Sequence, residues 1–142
     1  MDLRRVCRPL AAGLSAFLAL AQGCGGERYI VVGTARAPSV SGFITIDEAG
    51  SSSTKVLVHM AQLHPVDSLD PSMHAYVVWF EAGKSAPVRA GSLKYRPDER
   101  VGELEATAPF RKFIVKITAE ANDKPSAESG FVVASEQVSA DD

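Results

Sequence analysis

Ala75-Tyr-Val-Val-Trp-Phe80 is the stretch on which the fold class turns. It carries no charge and consists almost wholly of β-branched and aromatic residues, which suit a pleated, packed strand. A short apolar run bounded by breakers reads as a strand buried on both faces. The breakers are present on both sides. His64 to Ser72 contains Pro65 and Pro71 and reads as a loop, and Glu81-Ala-Gly-Lys84 reads as a turn. This run is therefore expected to be a central strand.

The same pattern repeats outward in both directions. Upstream, Tyr29-Ile-Val-Val-Gly-Thr34 is β-branched and aromatic. Gly42-Phe-Ile-Thr-Ile-Asp47 alternates, with Phe43 and Thr45 opposite Ile44 and Ile46. Thr54 to Leu63 is a strand after the turn cluster Ala49-Gly-Ser-Ser-Ser53. Downstream, Pro87 to Tyr95 and Val101 to Thr107 flank the polar turn Arg96-Pro-Asp-Glu-Arg100. Lys112-Phe-Ile-Val-Lys-Ile-Thr118 puts Phe113, Val115 and Ile117 on one face. Gly130-Phe-Val-Val-Ala134 follows the turn Asn122-Asp-Lys-Pro125 as the last strand, and polar Ser135 to Asp142 is expected to fray. Short strands separated by turns at intervals of about 8–12 residues predict an all-β, Ig-like antiparallel β-sandwich of seven or eight strands.

The N-terminus has a different character. Arg4, Arg5 and Arg8 precede an uncharged apolar segment, Leu10 to Ala21, which ends in Leu20-Ala-Gln-Gly-Cys24. A basic segment followed by about 7–15 apolar residues is the pattern of a secretory signal peptide and is too short to span a bilayer. Gly23 directly before Cys24 resembles a bacterial lipobox, although Ala21 stands where that motif prefers leucine. The expectation is a cleaved signal peptide over 1–23 and a lipid-bearing Cys24. A short tether over 24–28, the sandwich over 29–138 and a frayed tail over 139–142 complete the layout. The other cysteine, Cys7, would leave with the signal, so the mature chain would hold one cysteine and no internal disulfide. Acylation accounts for that single thiol, and more than one acyl chain makes such an anchor stable. Lipoproteins of some bacteria carry, after the cysteine, an aspartate that retains them in the inner membrane; Gly25 stands there, so by that resemblance the outer membrane is implied.

Charge and composition bound the function. The chain is 46% hydrophobic and 23% charged, with a net charge of −2. These are ordinary values for a folded domain, and no basic stripe suggests nucleic acid. Removing residues 1–23 takes away three arginines and one aspartate, which moves the net charge from −2 to −4. A mildly acidic domain is not drawn to anionic lipid by charge, so the anchor is expected to hold it at the membrane.

Tyr76-Val-Val-Trp79, Gly83, Ala90-Gly91 with Leu93, Phe113-x-Val-x-Ile-Thr-x-Glu120, Pro125 and Gly130-Phe-Val-Val133 occur in an order similar to the extracytoplasmic C-terminal domain of the anti-sigma-K factor family. The likeness covers roughly residues 42–134. Ala121 departs from the family's proline, and the chain shows no sigma-gripping helical domain. The resemblance therefore implies a shared sandwich module and not anti-sigma activity.

Catalytic signatures such as His-Glu-x-x-His, Gly-x-Ser-x-Gly or a Walker loop do not occur. The serine run Ser51-Ser-Ser53 reads as a loop tip, and Asp67 and Asp70 read as solvated caps beside Pro71. His59-Met60, His64 and Met73-His74 are close in sequence, and imidazole with thioether suits copper. Neighbouring residues on a strand face opposite ways, so the favoured reading of these five residues is structural, with no metal or other cofactor. The expected function is that of a non-enzymatic, membrane-anchored envelope lipoprotein that contacts another envelope protein. The alternative is a periplasmic copper-binding module.

Overall fold

A computed structural model describes residues 26–140. The expected signal peptide, Cys7 and the expected acylation site Cys24 lie outside the described residues. Those described form strands β1 (Arg28–Val32), β2 (Ser41–Glu48), β3 (Thr54–Ala61), β4 (Ala75–Glu81) and β5 (Val88–Ser92). They continue with β6 (Lys94–Arg96), β7 (Val101–Ala108), β8 (Lys112–Glu120) and β9 (Val132–Ser139). One sheet has five strands in the order β1-β2-β3-β7-β6, and the other has four in the order β5-β4-β8-β9. Every pairing of neighbours is antiparallel. The protein is an all-β sandwich.

Alternation along the strands builds the core. Ile44 and Ile46 of β2 and Val56, Val58 and Met60 of β3 turn inward from the first sheet. Val78 and Phe80 of β4 and Phe113, Val115 and Ile117 of β8 meet them from the second. Phe80 and Phe113 pack edge to face with centroids 5.2 Å apart. Burial of this aliphatic and aromatic surface, worth about 25 cal/mol per Å², is the main force holding the sheets together.

The strand expected over 87–95 is divided. The chain leaves the four-stranded sheet after Ser92 and joins the five-stranded sheet at Lys94, with Leu93 between them. Leu93 is buried, and its N–H donates to the carbonyl of Tyr76 at 2.9 Å. Two features turn this corner. Gly91 adopts φ +147°, where side chains are disfavoured, and the β4–β5 register slips between Val78 and Trp79. A bulge with a glycine bends a strand from one sheet into the other.

The two ends of the domain also differ from expectation. β9 runs on through Ser-Glu-Gln to Ser139, where a frayed tail was expected from Ser135. The reason is that Val138 is buried, and the β8 backbone pairs with this segment as far as Lys112↔Ser139. An outward-facing edge strand needs few apolar residues, so the run looks polar in sequence. At the other terminus, where a tether was expected over 24–28, Arg28 already belongs to β1. Glu27 accepts the N–H of Ile46 at 3.0 Å, and any side chain at Gly26 would strike the carbonyl of Ile46. The chain thus lies against β2 from Gly26 onward. β3 ends at Ala61, two residues before the expected Leu63, because Gln62 takes φ 58° and turns Leu63 into the core.

The antiparallel register sorts the connections into two groups. The start of β1 lies at the same end of the sandwich as the 49–53, 82–87 and 109–111 connections. The longer segments 33–40, 62–74 and 121–131, together with the 97–100 turn, gather at the opposite end.

Candidate functional site: the two outer faces of the sandwich

Residues of β1 to β3 and β7 that do not enter the core form the outer face of the five-stranded sheet. Ile30 and Val32 project there at 68% and 67% exposure. Phe43 stands directly across from Ile30 and His59 across from Phe43, and the next partner in the row is Glu103 of β7. The rings of Phe43 and His59 are stacked at 4.8 Å, and the Arg28 guanidinium lies 4.1 Å from the Phe43 centroid. His59 Nδ1 is 2.7 Å from a Glu103 carboxylate oxygen, whose partner oxygen accepts from Arg96 at 3.3 Å. Those two contacts, that of His59 foremost, hold the Glu103 carboxyl below the usual range for a glutamate. Lys55 pairs with Glu105 at 2.9 Å. Leu57 is 38% exposed and completes the apolar strip. Cross-strand pairing thus neutralises most of the charge on this face and leaves the side chains of β1 uncovered.

The outer face of the four-stranded sheet is covered instead. Val77 and Trp79 point away from the core yet are buried. Trp79 Nε1–H donates to Thr118 Oγ1 at 2.9 Å, and the Thr118 hydroxyl donates to Glu120 Oε2 at 2.5 Å. The same carboxylate oxygen accepts the backbone N–H of Ser129 at 2.9 Å. Segment 121–131 folds back along this face. It is tied down by Arg89 Nη1 to the Pro125 carbonyl at 2.7 Å and by Ser92 Oγ to the Asp123 carbonyl at 2.9 Å. Lys116 bridges Glu81 at 2.9 Å and Glu128 at 3.1 Å.

The histidines and methionines do not form one group. His59 lies on the outer face and Met60, fully buried, on the inner face of the same strand. Met73 packs against the core from the 62–74 segment. His64 is half-buried, and its carbonyl accepts the Tyr76 hydroxyl at 2.6 Å. His74 is exposed, and its N–H donates to the Glu120 carbonyl at 2.7 Å. Among the described residues no group of three histidine, cysteine, aspartate or glutamate side chains is arranged to hold a metal ion. Asp70 caps a local turn, accepting the Ser72 N–H at 2.9 Å, and this contact lowers its carboxyl pKa.

Sequence reasoning missed two features. Glu120 gave no sign of burial, because one of the partners that satisfy it, the Ser129 N–H, comes from a loop. The exposure of Ile30 and Val32 had a signal: Tyr29 to Val32 is apolar at both parities, so one pair must face outward.

Comparison of the chain with protein-family models, with curated proteins and with solved structures finds no match.

Proposed function

We propose that this chain is an exported lipoprotein, cleaved before Cys24 and acylated there, whose Ig-like sandwich is a non-enzymatic contact module of the cell envelope. The observation that carries the reading is the position of the first docked residue. Gly26 lies against β2 two residues after the cysteine that ends the lipobox-like segment Leu20 to Cys24. A compact domain starting immediately after such a cysteine has the layout of an anchored module. The ordered resemblance of Tyr76-Val-Val-Trp79 to Gly130-Phe-Val-Val133 with the anti-sigma-K factor C-terminal domain supports a shared sandwich type, without its sigma-binding role. Gly25 supports residence in the outer membrane. The segments 33–40, 62–74 and 121–131, at the end away from the anchor, are the surfaces proposed to meet an envelope protein.

The test is expression of the full chain with a fatty-acid probe. Wild type should incorporate the probe and shorten to a product beginning at Cys24. Cys24→Ser should lose both the label and the processing. Normal labelling of Cys24→Ser, or a mature wild-type chain with a free Cys24 thiol, overturns the reading.

A further inference from the structure

We propose that the outer face of the five-stranded sheet rests on the lipid surface, with Ile30 and Val32 entering the headgroup region and Arg28 facing the lipid phosphates. This rests on the anchored reading and adds an orientation to it. Arg28, Ile30 and Val32 share one side of β1, since side chains alternate along a strand. The two aliphatic side chains are about two-thirds exposed, far more than Leu57 at 38% on the same face.

What covers them follows from where the chain leaves the structure. Only Gly25 separates Cys24 from docked Gly26, and two residues extend about 7 Å at most. Ile30 is then within about 20 Å of the acylated sulfur along a fully extended path. The short link holds the face beside the bilayer at high effective concentration, so a small apolar contact suffices. The electrostatics agree. Lys55 pairs with Glu105 and lies across from Asp47, while His59 and Arg96 share Glu103, so the acids of this strip have bases beside them. Arg28, stacked on Phe43, carries its charge at the margin of the apolar pair, where a guanidinium reaches headgroups while its stem covers carbon.

The experiment uses the full chain, exported and acylated, reconstituted in vesicles of phosphatidylethanolamine and phosphatidylglycerol. Acylated Cys24 does not react with thiol dyes, so Val32→Cys and Ala127→Cys each receive a single fluorescent label. Ala127 is exposed on the segment that covers the opposite sheet. The label at 32 should lose iodide quenching several-fold on reconstitution and be quenched by brominated lipid, while the label at 127 changes in neither way. Ile30→Asp in the Val32→Cys background should restore iodide quenching with acylation intact, and Ile30→Ser should do so in part. Equal quenching at 32 and 127 in acylated protein overturns the orientation and leaves the anchor standing. Protection at 32 that grows with protein density and shows no bromolipid quenching overturns it in favour of a second copy of the chain. Labelling of Cys24 itself overturns the anchor, and the proposal with it.

Discussion

Trp79 and Thr118 are diagonal neighbours on β4 and β8, on the side of the sheet turned away from the core, joined by an indole N–H···O bond of 2.9 Å. Phe80, the next residue, fills the core. The strand on which the fold class turned therefore serves two apolar environments, one between the sheets and one beneath the 121–131 segment.

Trp79→Ala should cost about 3–5 kcal/mol, the usual loss for a buried large aromatic. That is a large part of the roughly 5–15 kcal/mol available to a domain. Trp79→Phe keeps most of the apolar area and loses the bond to Thr118. In a double-mutant cycle with Thr118→Val, denaturant unfolding should give a coupling of about 0.5–3 kcal/mol. Additive effects would mean the bond contributes nothing.

Glu120→Ala should loosen the 121–131 segment more than the rest of the domain. It leaves the Thr118 hydroxyl and the Ser129 N–H without their acceptor, at a cost of about 1–3 kcal/mol each if they stay dry. Hydrogen exchange should accelerate at Ser129 while the β2 and β3 amides keep their protection, and Trp79 emission should move to the red. Uniform acceleration across both sheets would contradict a local latch.

Tyr76 and Tyr95 should make stability fall in alkali. Their hydroxyls donate to the His64 and Leu63 carbonyls, each at 2.6 Å, and the rings meet edge to face. Burial, the leading cause for both, raises the two phenol pKa values above the ordinary tyrosine value of 10.0. The folded state thus holds these protons more tightly than the unfolded chain. The stabilisation is complete below about pH 10 and declines as pH rises from there towards the folded pKa values. Tyr76→Phe should flatten that decline in thermal melts between neutral and strongly alkaline pH. It should also cost about 1 kcal/mol at pH 7 through the lost hydrogen bond.

His59→Ala should change stability by about 1 kcal/mol or less, because the His59–Glu103 pair is part-exposed. Cuprous and cupric ions should shift the melting temperature of wild type and His59→Ala alike. A stoichiometric shift present in wild type and lost in the variant would show that His59 is a ligand.

Strand positions were legible because the core strands obey a period of two: Phe113, Val115 and Ile117 were read on one face and lie there. The division at Leu93 was not legible. Gly91 signals a bulge, but which sheet receives the following residues depends on where Tyr76 and β7 lie. The extension of the last strand beyond Ala134 was hidden for a similar reason, since Val138 alone among polar neighbours has no readable period. For the candidate surfaces, the separation of His59 from Met60 followed from strand alternation. The burial of Glu120 required knowing which loop would fold over it.

The meeting of β1 with β9 has a kinetic consequence. Tyr29 Oη bonds the Ser139 carbonyl at 3.2 Å across 110 residues of chain, and Thr34 Oγ1 bonds that of Val132 at 2.7 Å across 98. β1 pairs with β2, its neighbour in sequence, but its junction with β9 closes only after the last strand has been made. Contacts this distant in sequence slow folding, because loop closure must precede the gain from them. A ribosome or a translocation pore releasing this chain N-terminus first would hold β1 unfinished until nearly the whole polypeptide had emerged. Val31, which the finished fold buries, would stay only partly covered throughout that delay.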